Sequence, residues 1–509
     1  MSVIAILVII WESRTSTSQS SRLTKLCLLL TASVSMLAYF NFGVFHGSSY
    51  GGGWVGFQYR FTHKWEQFHY FLNAKYFKEL RYDGLYVASI AAQRQSDPLL
   101  PIQEYVRDMH SNQIVPVAQL DAFTQEVIAR FTPERWSSFV RDNHFFVTTS
   151  DSNYLRLVRS DHGFNGSPTW ASIALFFCRT LPANLNTLFF LGTVDILLLG
   201  LMFFAINWAY GWRVSCWTLI LFGLSYPSRY YWNGGAFLRL DWLVASVIGV
   251  CMLKKQNYIQ AGFLFGYAIM SRLFPIFFLI GLCILFFKDI ILHRPINWFV
   301  RLWSGLIISI ALGFALGSIA GGGLKIWKEY AANIQKHRNT WLTNNVGLEN
   351  ILVYDSYTYN RDLVNWNLPE PWRPWQTYMV EVQKEKSFPI IVVTAISLVF
   401  IAKAAWQASL DEAAIICIAA VFVLTLLTCY YWVMLILVGL KKGNLGTILV
   451  LILNAILFGV HIFYDPVFEI IYGFMSWGLM AFFVFWLGHD LLAGNKHPSH
   501  VITMARARE

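Results

Sequence analysis

The chain has 509 residues, of which 56% are hydrophobic and only 13% are charged. A soluble domain usually carries about 25% charged and about 45 to 50% apolar residues, so this composition excludes an ordinary soluble protein and indicates a membrane protein with several spans. The formal net charge of +10 does not indicate nucleic-acid binding, because the Lys and Arg residues are scattered among short loops between apolar runs, as in membrane proteins.

The N-terminal part predicts a cytoplasmic segment followed by a first span. The opening run MSVIAILVIIW is shorter than the about 20 apolar residues that a span needs, so residues 1–22 are interpreted as a cytoplasmic, interfacial segment. The first transmembrane helix is predicted over residues 23–45. Arg14, Arg22 and Lys25 precede or open it, which predicts a cytoplasmic N-terminus.

Residues 46–166 are polar and are predicted to form a first extracytoplasmic segment. The part of the chain from 167 to 320 is apolar again, beginning with a short run that Arg179 and Pro182 close before it is long enough to cross. Further spans are then predicted near residues 186–208, 214–227, 240–253, 257–271, 274–287 and 299–320.

A second polar segment, residues 321–388, is predicted to return to the same side as the first. Spans near 389–404, 412–428, 429–440, 445–463 and 467–487 follow within the C-terminal membrane part, 389–487, and residues 488–509 form a cytoplasmic tail. The predicted fold is therefore an all-α polytopic membrane protein with about twelve transmembrane helices and two large extracytoplasmic segments. The sequence shows no internal repeat of the kind that indicates a transporter built from two similar halves. Two large outer segments suit an enzyme that takes a lipid-linked substrate from the outer leaflet.

Metal and disulfide chemistry find little support in the sequence. The seven cysteines lie in or beside apolar runs without a CxxC pair, as small core residues do. His144, Asp161 and His162 have no recognisable ligand spacing, so no metal or other cofactor is required, and a divalent metal is the less favoured interpretation.

The polar stretch HKWEQFHYFLNAKYFKELRYDGLY, residues 63–86, concentrates chemistry-bearing side chains directly after the first span. Glu66, His69 and Tyr70 fall on one or adjacent faces of a helix, because residues three and four apart are neighbours. An interfacial helix with solvated charges and snorkelling lysines has the same spacing, and spacing alone favours it.

This run resembles the first-loop motif of polyprenol-phosphate-sugar-dependent glycosyltransferases of the GT-C class, above all glycosyltransferase family 87, the DUF2029 type. In that family, an acidic residue is followed by an aromatic pair, an alanine and a Leu-Tyr. The corresponding residues here are Glu66, His69, Tyr70, Ala74, Leu85 and Tyr86.

Later stretches resemble the family in the same order. YYWNGGAFLRLDW keeps Asn233 and Gly234 of an Asn-Gly-Gln segment, with Gly235 in place of Gln. FGYAIMSRLFP has Arg272 as the basic residue before a proline, where Lys is common, and NNVGLENIL keeps Asn345. Glu66 stands where Asp is usual, and the outer segment up to residue 166 is longer than the family's first loop.

The resemblance implies a GT-C-like bundle and an integral-membrane inverting glycosyltransferase. Such an enzyme would transfer a mannose- or arabinose-like sugar, hexosyl or pentosyl, from a polyprenyl-phosphate donor to an extracytoplasmic glycan, lipid or protein acceptor. The expected location is the bacterial inner membrane, multi-pass, with both termini cytoplasmic. The alternative is a non-catalytic GT-C-like scaffold subunit of a larger membrane complex with other membrane partners.

The roles of individual residues follow from this resemblance. Glu66 is the expected catalytic base and Asp83 the second candidate, while cations are expected at the phosphate of the donor. The expected substrate-binding residues are His69, Tyr70, Lys75, Asn233, Arg272, His337, Arg338 and Asn345. Arg239 and Asp241 are interpreted as a local ion pair that closes a helix end, and Asp195 as a buried, hydrogen-bonded residue.

Overall fold

A computed structural model describes residues 1–14, 22–46, 53–353, 363–464 and 468–494 of the chain. This part is helical almost throughout, which confirms the all-α class. The few strands form two antiparallel pairs, Tyr105–Asp108 with Gln113–Pro116, and Asn345–Val346 with Leu427–Thr428.

The helices follow one another with short connections. In the first half of the chain, the α-helices are Ser2–Arg14, Arg22–Tyr39, Gly53–Phe61, Lys64–Lys75, Phe77–Leu80, Leu85–Ser96, Asp121–Ala129, Pro133–Thr148, Ser152–Val158, Pro168–Cys178, Leu185–Tyr210, Trp212–Gly223, Tyr230–Asn233 and Asp241–Lys254. In the second half they are Tyr258–Ser271, Phe278–Ile291, Asn297–Ala320, Lys325–Arg338, Leu348–Val353, Arg373–Glu385, Ser387–Gln407, Leu410–Ile416, Ile418–Leu424, Leu445–Tyr464 and Phe468–Gly494. Shorter-pitched 3₁₀ helices occupy Asn41–Gly43, Val117–Leu120, Phe274–Phe277 and Cys429–Leu440.

Seven helices in the described ranges are long and apolar enough to cross a membrane, which makes the protein a multi-pass membrane protein. Their bounds are Arg22–Tyr39, Leu185–Tyr210, Phe274–Ile291, Asn297–Ala320, Ser387–Gln407, Leu445–Tyr464 and Ile470–Leu492.

The count of about twelve spans is not supported by helix length. Three of the predicted spans are the helices Trp212–Gly223, Asp241–Lys254 and Tyr258–Ser271, which have only 12, 14 and 14 residues. Nearly every side chain of Asp241–Lys254 is buried inside the protein. An apolar sequence is equally suited to facing lipid and to lying inside a bundle, so hydropathy counted interior helices as spans.

Glycines let helices of the bundle approach closely. A Cβ at Gly262 would lie 1.8 Å from the carbonyl oxygen of Leu302, and a Cβ at Gly305 would lie 2.0 Å from that of Ile259. The helices Tyr258–Ser271 and Asn297–Ala320 thus pack backbone against backbone through small residues contributed by both, as membrane helices commonly do.

The first polar segment has a hydrophobic core of its own. Phe68, Phe71, Tyr76 and Phe139 are at most 1% exposed, and they share this core with residues of the short helix Pro168–Cys178. The first polar segment is therefore a folded unit that packs on the membrane helices through the short helix Pro168–Cys178.

The second polar segment packs against the first. A smaller core forms around Trp341, Trp375 and Met379. Arg107 pairs with Glu370 at 2.9 Å and Arg81 pairs with Glu329 at 2.9 Å, so both polar segments lie together at one end of the bundle.

Candidate functional site

Glu66 lies in the first turn of the helix Lys64–Lys75. His63 caps this helix, its Nδ1 accepting a hydrogen bond from the Glu66 amide at 3.3 Å, and the His63 amide donates to the Gly235 carbonyl at 3.0 Å. Gly235 has a φ of +68°, and a Cβ there would lie 1.8 Å from the Phe61 carbonyl oxygen. The glycine at this position is therefore required by the close approach of two chain segments.

Arg239 forms an ion pair with Glu66. Its Nη1 lies 3.0 Å from Glu66 Oε2, and the two side chains are 8% and 19% exposed. The same Nη1 lies 3.4 Å from the Tyr70 hydroxyl, and the guanidinium lies 4.4 Å from the centre of the Tyr430 ring. The predicted local pair of Arg239 with Asp241 is wrong, because Arg239 reaches into the first polar segment instead.

Two carboxylates hold the chain around Arg239 in place. Asp195 accepts hydrogen bonds from the amides of Arg239 and Leu240 at 2.8 and 3.2 Å, which confirms its interpretation as a buried, hydrogen-bonded residue. Asp241 accepts hydrogen bonds at 2.7 Å from the Tyr267 hydroxyl and at 2.7 Å from the Ser271 hydroxyl. These hydrogen bonds fix the position of the chain from Arg239 to Asp241.

Arg272 supplies a second buried guanidinium. It follows the helix Tyr258–Ser271, is 5% exposed, and lies 5.7 Å from the centre of the Tyr70 ring, while Arg239 lies 5.9 Å from that ring centre. Its Nη1 lies 3.5 Å from the Asn165 side-chain oxygen, to which the Tyr70 hydroxyl donates at 2.5 Å. Its Nε and Nη2 atoms have no hydrogen-bond partner among the described residues.

The electrostatics of this site favour an anion. Buried N–H groups of a guanidinium are costly to leave without an acceptor, and a guanidinium prefers carboxylate or phosphate oxygens. The pKa of the Tyr70 hydroxyl is raised, chiefly by burial and against the effect of Arg272 and Arg239, so the hydroxyl remains a hydrogen-bond donor. Two cations, one neutral hydroxyl and the Glu66 carboxylate therefore meet in one place.

His69, Lys75 and Asp83 are engaged elsewhere in the first polar segment. The His69 ring bonds to the Tyr86 hydroxyl at 2.8 Å and to the Trp65 carbonyl at 3.0 Å. Lys75 pairs with Asp142 at 2.6 Å, the two side chains being 6% and 4% exposed.

Asp83 pairs with Arg130 at 3.0 Å and with His110 at 3.3 Å. Neither Lys75 nor Asp83 contacts Glu66 or Arg272, so the structure does not bring the predicted cation Lys75 or the second candidate base to the Glu66 site.

The remaining predicted residues do not contact Glu66 or Arg272 either. Asn233 is 4% exposed and directly precedes the Gly234-Gly235 turn. Asn345 accepts a hydrogen bond from the Leu342 amide at 2.7 Å and pairs with Thr428 in the short sheet, which is a structural arrangement.

His337 and Arg338 end the helix Lys325–Arg338. Arg338 is exposed, whereas the pKa of His337 is lowered to about 4 by burial, with further contributions from Lys336 and Arg107. Of the residues that the resemblance implied, the structure therefore gathers Glu66, Tyr70 and Arg272.

Sequence reasoning missed three members of this site, Arg239, Asn165 and Tyr430. Arg239 carried a signal, because a charge within an apolar run is by default a functional candidate. Asn165 and Tyr430 carried none, since they reach the site from distant parts of the chain.

No group of three or more His, Cys, Asp or Glu side chains in the described ranges is placed to hold a metal ion. The set of His144, Asp161 and His162 is divided in the structure. His144 pairs with Asp97 at 2.9 Å, while the His162 ring bonds to the Asn112 side chain at 2.9 Å.

Comparison with known proteins gave no relative for this chain: no protein-family model, curated protein or solved structure matches it.

Proposed function

We propose that the protein is an inverting membrane glycosyltransferase that uses a polyprenyl-phosphate sugar as donor. The observation that carries the proposal is the pairing of the Glu66 carboxylate with the buried Arg239, which shares the Tyr70 ring with a second buried guanidinium, that of Arg272. The Nε and Nη2 atoms of Arg272 lack an acceptor among the described residues. A reaction that needs a base next to a phosphate leaving group requires this combination of charges.

The phosphate of the donor would be held by Arg272. The guanidinium presents several donors in a plane and matches phosphate oxygens in pairs, which a lysine does not. Arg239 is already paired with Glu66, so it would stabilise the negative charge of the phosphate without binding the phosphate directly. The Tyr70 ring forms the wall of the site between the two cations, and the Tyr430 ring lies against Arg239.

Glu66 would act as the base. The acceptor hydroxyl oxygen bonds to the anomeric carbon from the face opposite the phosphate, while the bond from that carbon to the phosphate oxygen breaks. The hydroxyl proton passes to Glu66, and polyprenyl phosphate leaves with the electron pair. General-base help of this kind is worth about a hundred- to ten-thousand-fold in rate.

The position of the site in the fold supports a lipid-linked substrate. Glu66 and Tyr70 belong to the first polar segment, whereas Arg239 and Arg272 lie at the ends of two helices of the apolar bundle. A lipid phosphate held there could keep its chain among the membrane helices. The proposal includes a GT-C-like bundle of membrane helices, both polar segments extracytoplasmic, both termini cytoplasmic, and a bacterial inner membrane.

The donor sugar would be mannose- or arabinose-like, hexosyl or pentosyl, and the acceptor an extracytoplasmic glycan, lipid or protein. The second candidate function is a non-catalytic GT-C-like scaffold subunit of a membrane complex. The ion pair of Glu66 with Arg239 favours it, since a carboxylate in such a pair can serve structure alone.

Transfer assays with two variants separate the candidates. The purified protein in nanodiscs is given polyprenyl-phosphate mannose or polyprenyl-phosphate arabinose with a labelled sugar, together with a membrane extract as acceptor. We expect Glu66→Gln to lose about a hundred-fold or more of the transfer rate while it still binds polyprenyl phosphate. We expect Arg272→Gln to lose that binding.

Glu126→Gln, an exposed carboxylate on the helix Asp121–Ala129, is the matched control and should keep both properties. Transfer at the wild-type rate in Glu66→Gln would refute the role of the base. A wild-type protein that transfers neither sugar but copurifies with membrane partners in fixed stoichiometry would favour the scaffold.

A further inference from the structure

A cavity lies where the two polar segments meet, and Glu66, Arg239 and Arg272 do not line it. It has a volume of about 400 Å³ and is open to solvent. Asn112 lies in the turn between the paired strands Tyr105–Asp108 and Gln113–Pro116, while Lys336 and Asn339 lie at the C-terminal end of the helix Lys325–Arg338. Arg373, Gln376 and Lys384 lie along the helix Arg373–Glu385.

The charge of this cavity is positive. Three cations line it, Lys336, Arg373 and Lys384, against one carboxylate, Glu381. Arg373 lies 3.7 Å from Glu370, whose other oxygen is bonded to Arg107 at 2.9 Å, so its charge is only partly balanced. Among the described residues, no carboxylate lies within ion-pair distance of Lys384. A concave surface with excess positive charge concentrates anions.

Lys336 is the most buried of the three cations that line the cavity. Its ammonium donates a hydrogen bond to the Met109 carbonyl at 2.7 Å. Burial lowers the pKa of Lys336 to about 8, so most Lys336 side chains are still protonated at neutral pH. An anion bound in the cavity would favour the charged form of this lysine.

Apart from Val380, the rest of the lining is made of side chains with amide and hydroxyl groups. Asn112, Asn339 and Gln376 supply amide groups, and Ser111, Thr340 and Thr377 supply hydroxyls. The three hydroxyls donate within the protein, to Asp108 and to the carbonyls of Lys336 and Arg373, and their oxygens can accept hydrogen bonds from a ligand with many hydroxyls. The volume falls within the range of about 300 to 1,000 Å³ that small-molecule sites occupy.

The cavity is close to the Glu66 site. Asn333, on the same helix as Lys336, donates a hydrogen bond at 3.1 Å to the carbonyl of Phe164, the neighbour of Asn165, which contacts Tyr70 and Arg272. Lys336 follows Asn333 by three residues, a rise of about 4.5 Å along a helix. Lys336, which lines the cavity, therefore lies about one helical turn from Asn333, which in turn contacts the residue next to Asn165.

We infer that this cavity binds an anionic saccharide, a hydroxyl-rich ligand that carries carboxylate or phosphate charge. The binding stands on the lining residues alone. Its role rests on the proposed function, under which the anionic saccharide is part of the acceptor and its free hydroxyl is presented to Glu66.

Binding measurements on the full-length protein in nanodiscs test the inference. The probes are two matched pairs: digalacturonate with neutral maltose, and trehalose 6-phosphate with neutral trehalose. We expect at least one anionic probe to bind about ten-fold more tightly than its neutral partner, and the better pair identifies carboxylate or phosphate as the charge. Equal affinity within both pairs would overturn the inference.

Variants locate the binding. We expect Arg373→Gln with Lys384→Gln to weaken the anionic probe about ten-fold or more. Lys325→Gln with Lys328→Gln removes the same charge from exposed residues outside the cavity and should leave the affinity unchanged. Equal losses in both double variants would mean a general charge effect and no site.

Glu66→Gln separates this inference from the proposed function. We expect Glu66→Gln to bind the anionic probe like the wild type, because Glu66 does not line the cavity. If the probe binds and no transfer occurs in the wild type, the proposed function fails and the cavity remains a binding site.

Discussion

Arg239 and Glu66 are joined by a 3.0 Å ion pair although 173 residues of chain separate them. The pair links the first polar segment to the start of the helix Asp241–Lys254 in the bundle. It also brings the proposed base within reach of the two guanidiniums that face Tyr70. Neither the charge arrangement nor the orientation of Glu66 exists before the chain has folded.

A double-mutant cycle measures how strongly this pair couples the two units. We expect Glu66→Gln and Arg239→Gln to be non-additive by about 1 to 3 kcal/mol in the free energy of unfolding, because the two side chains are in direct contact. Reversible denaturation in mixed detergent and SDS micelles gives the four values. Additive effects would mean that the contact contributes nothing to stability.

Lys75→Met tests the structural role of a residue that sequence reasoning placed at the donor phosphate. It leaves the Asp142 carboxylate buried without its cation, so we expect a loss of about 3 to 5 kcal/mol in the free energy of unfolding. Lys75→Met with Asp142→Leu removes both charges and should lose less. A stable Lys75→Met protein with weakened polyprenyl-phosphate binding would restore the role at the phosphate.

Gly235→Ala tests the close approach that supports the Glu66 helix. The new Cβ would lie 1.8 Å from the Phe61 carbonyl oxygen at a φ of +68°, so we expect a loss of at least about 2 kcal/mol. Gly200→Ala is the control, since a Cβ there meets no atom within 4 Å and Gly200 lies inside the helix Leu185–Tyr210. Thermal unfolding compares the two, and equal melting temperatures would contradict the steric argument.

Stability should fall in mild acid because of His337 and His162. Burial, together with Lys336 and Arg107, lowers the pKa of His337 to about 4, and burial with Arg107 lowers that of His162 to about 3. The unfolded chain, with a His pKa near 6.5, takes up protons first as the pH falls. The stability that each neutral histidine contributes is therefore fully present above about pH 6.5.

For His337, that stability is lost between about pH 6.5 and about pH 4. The expected size is on the order of 3 kcal/mol. Melting temperatures measured from pH 7.5 to pH 4.5 test this, and His337→Gln should flatten part of the decline. An unchanged profile in that variant would show that His337 does not cause the loss.

The sequence by itself determined the class of the protein and part of its site. Low charge and long apolar runs are properties of composition, and they predicted a multi-pass, all-α membrane protein. Two polar stretches predicted the two polar segments, and the spacing of Glu66 and Tyr70, four residues apart, placed them together because a helix brings such residues to one face. Asp195 was understood from its position in an apolar run.

Only the tertiary structure decided which charges meet. Glu66 with Arg239, and Lys75 with Asp142, join residues 173 and 67 positions apart, and no local pattern carries such distances. It also decided the number of membrane-length helices, since the apolar helix Asp241–Lys254 has only 14 residues and is almost wholly buried. Hydropathy measures how favourable it is to transfer a segment out of water. Whether lipid or other helices then surround the segment depends on how the whole chain packs.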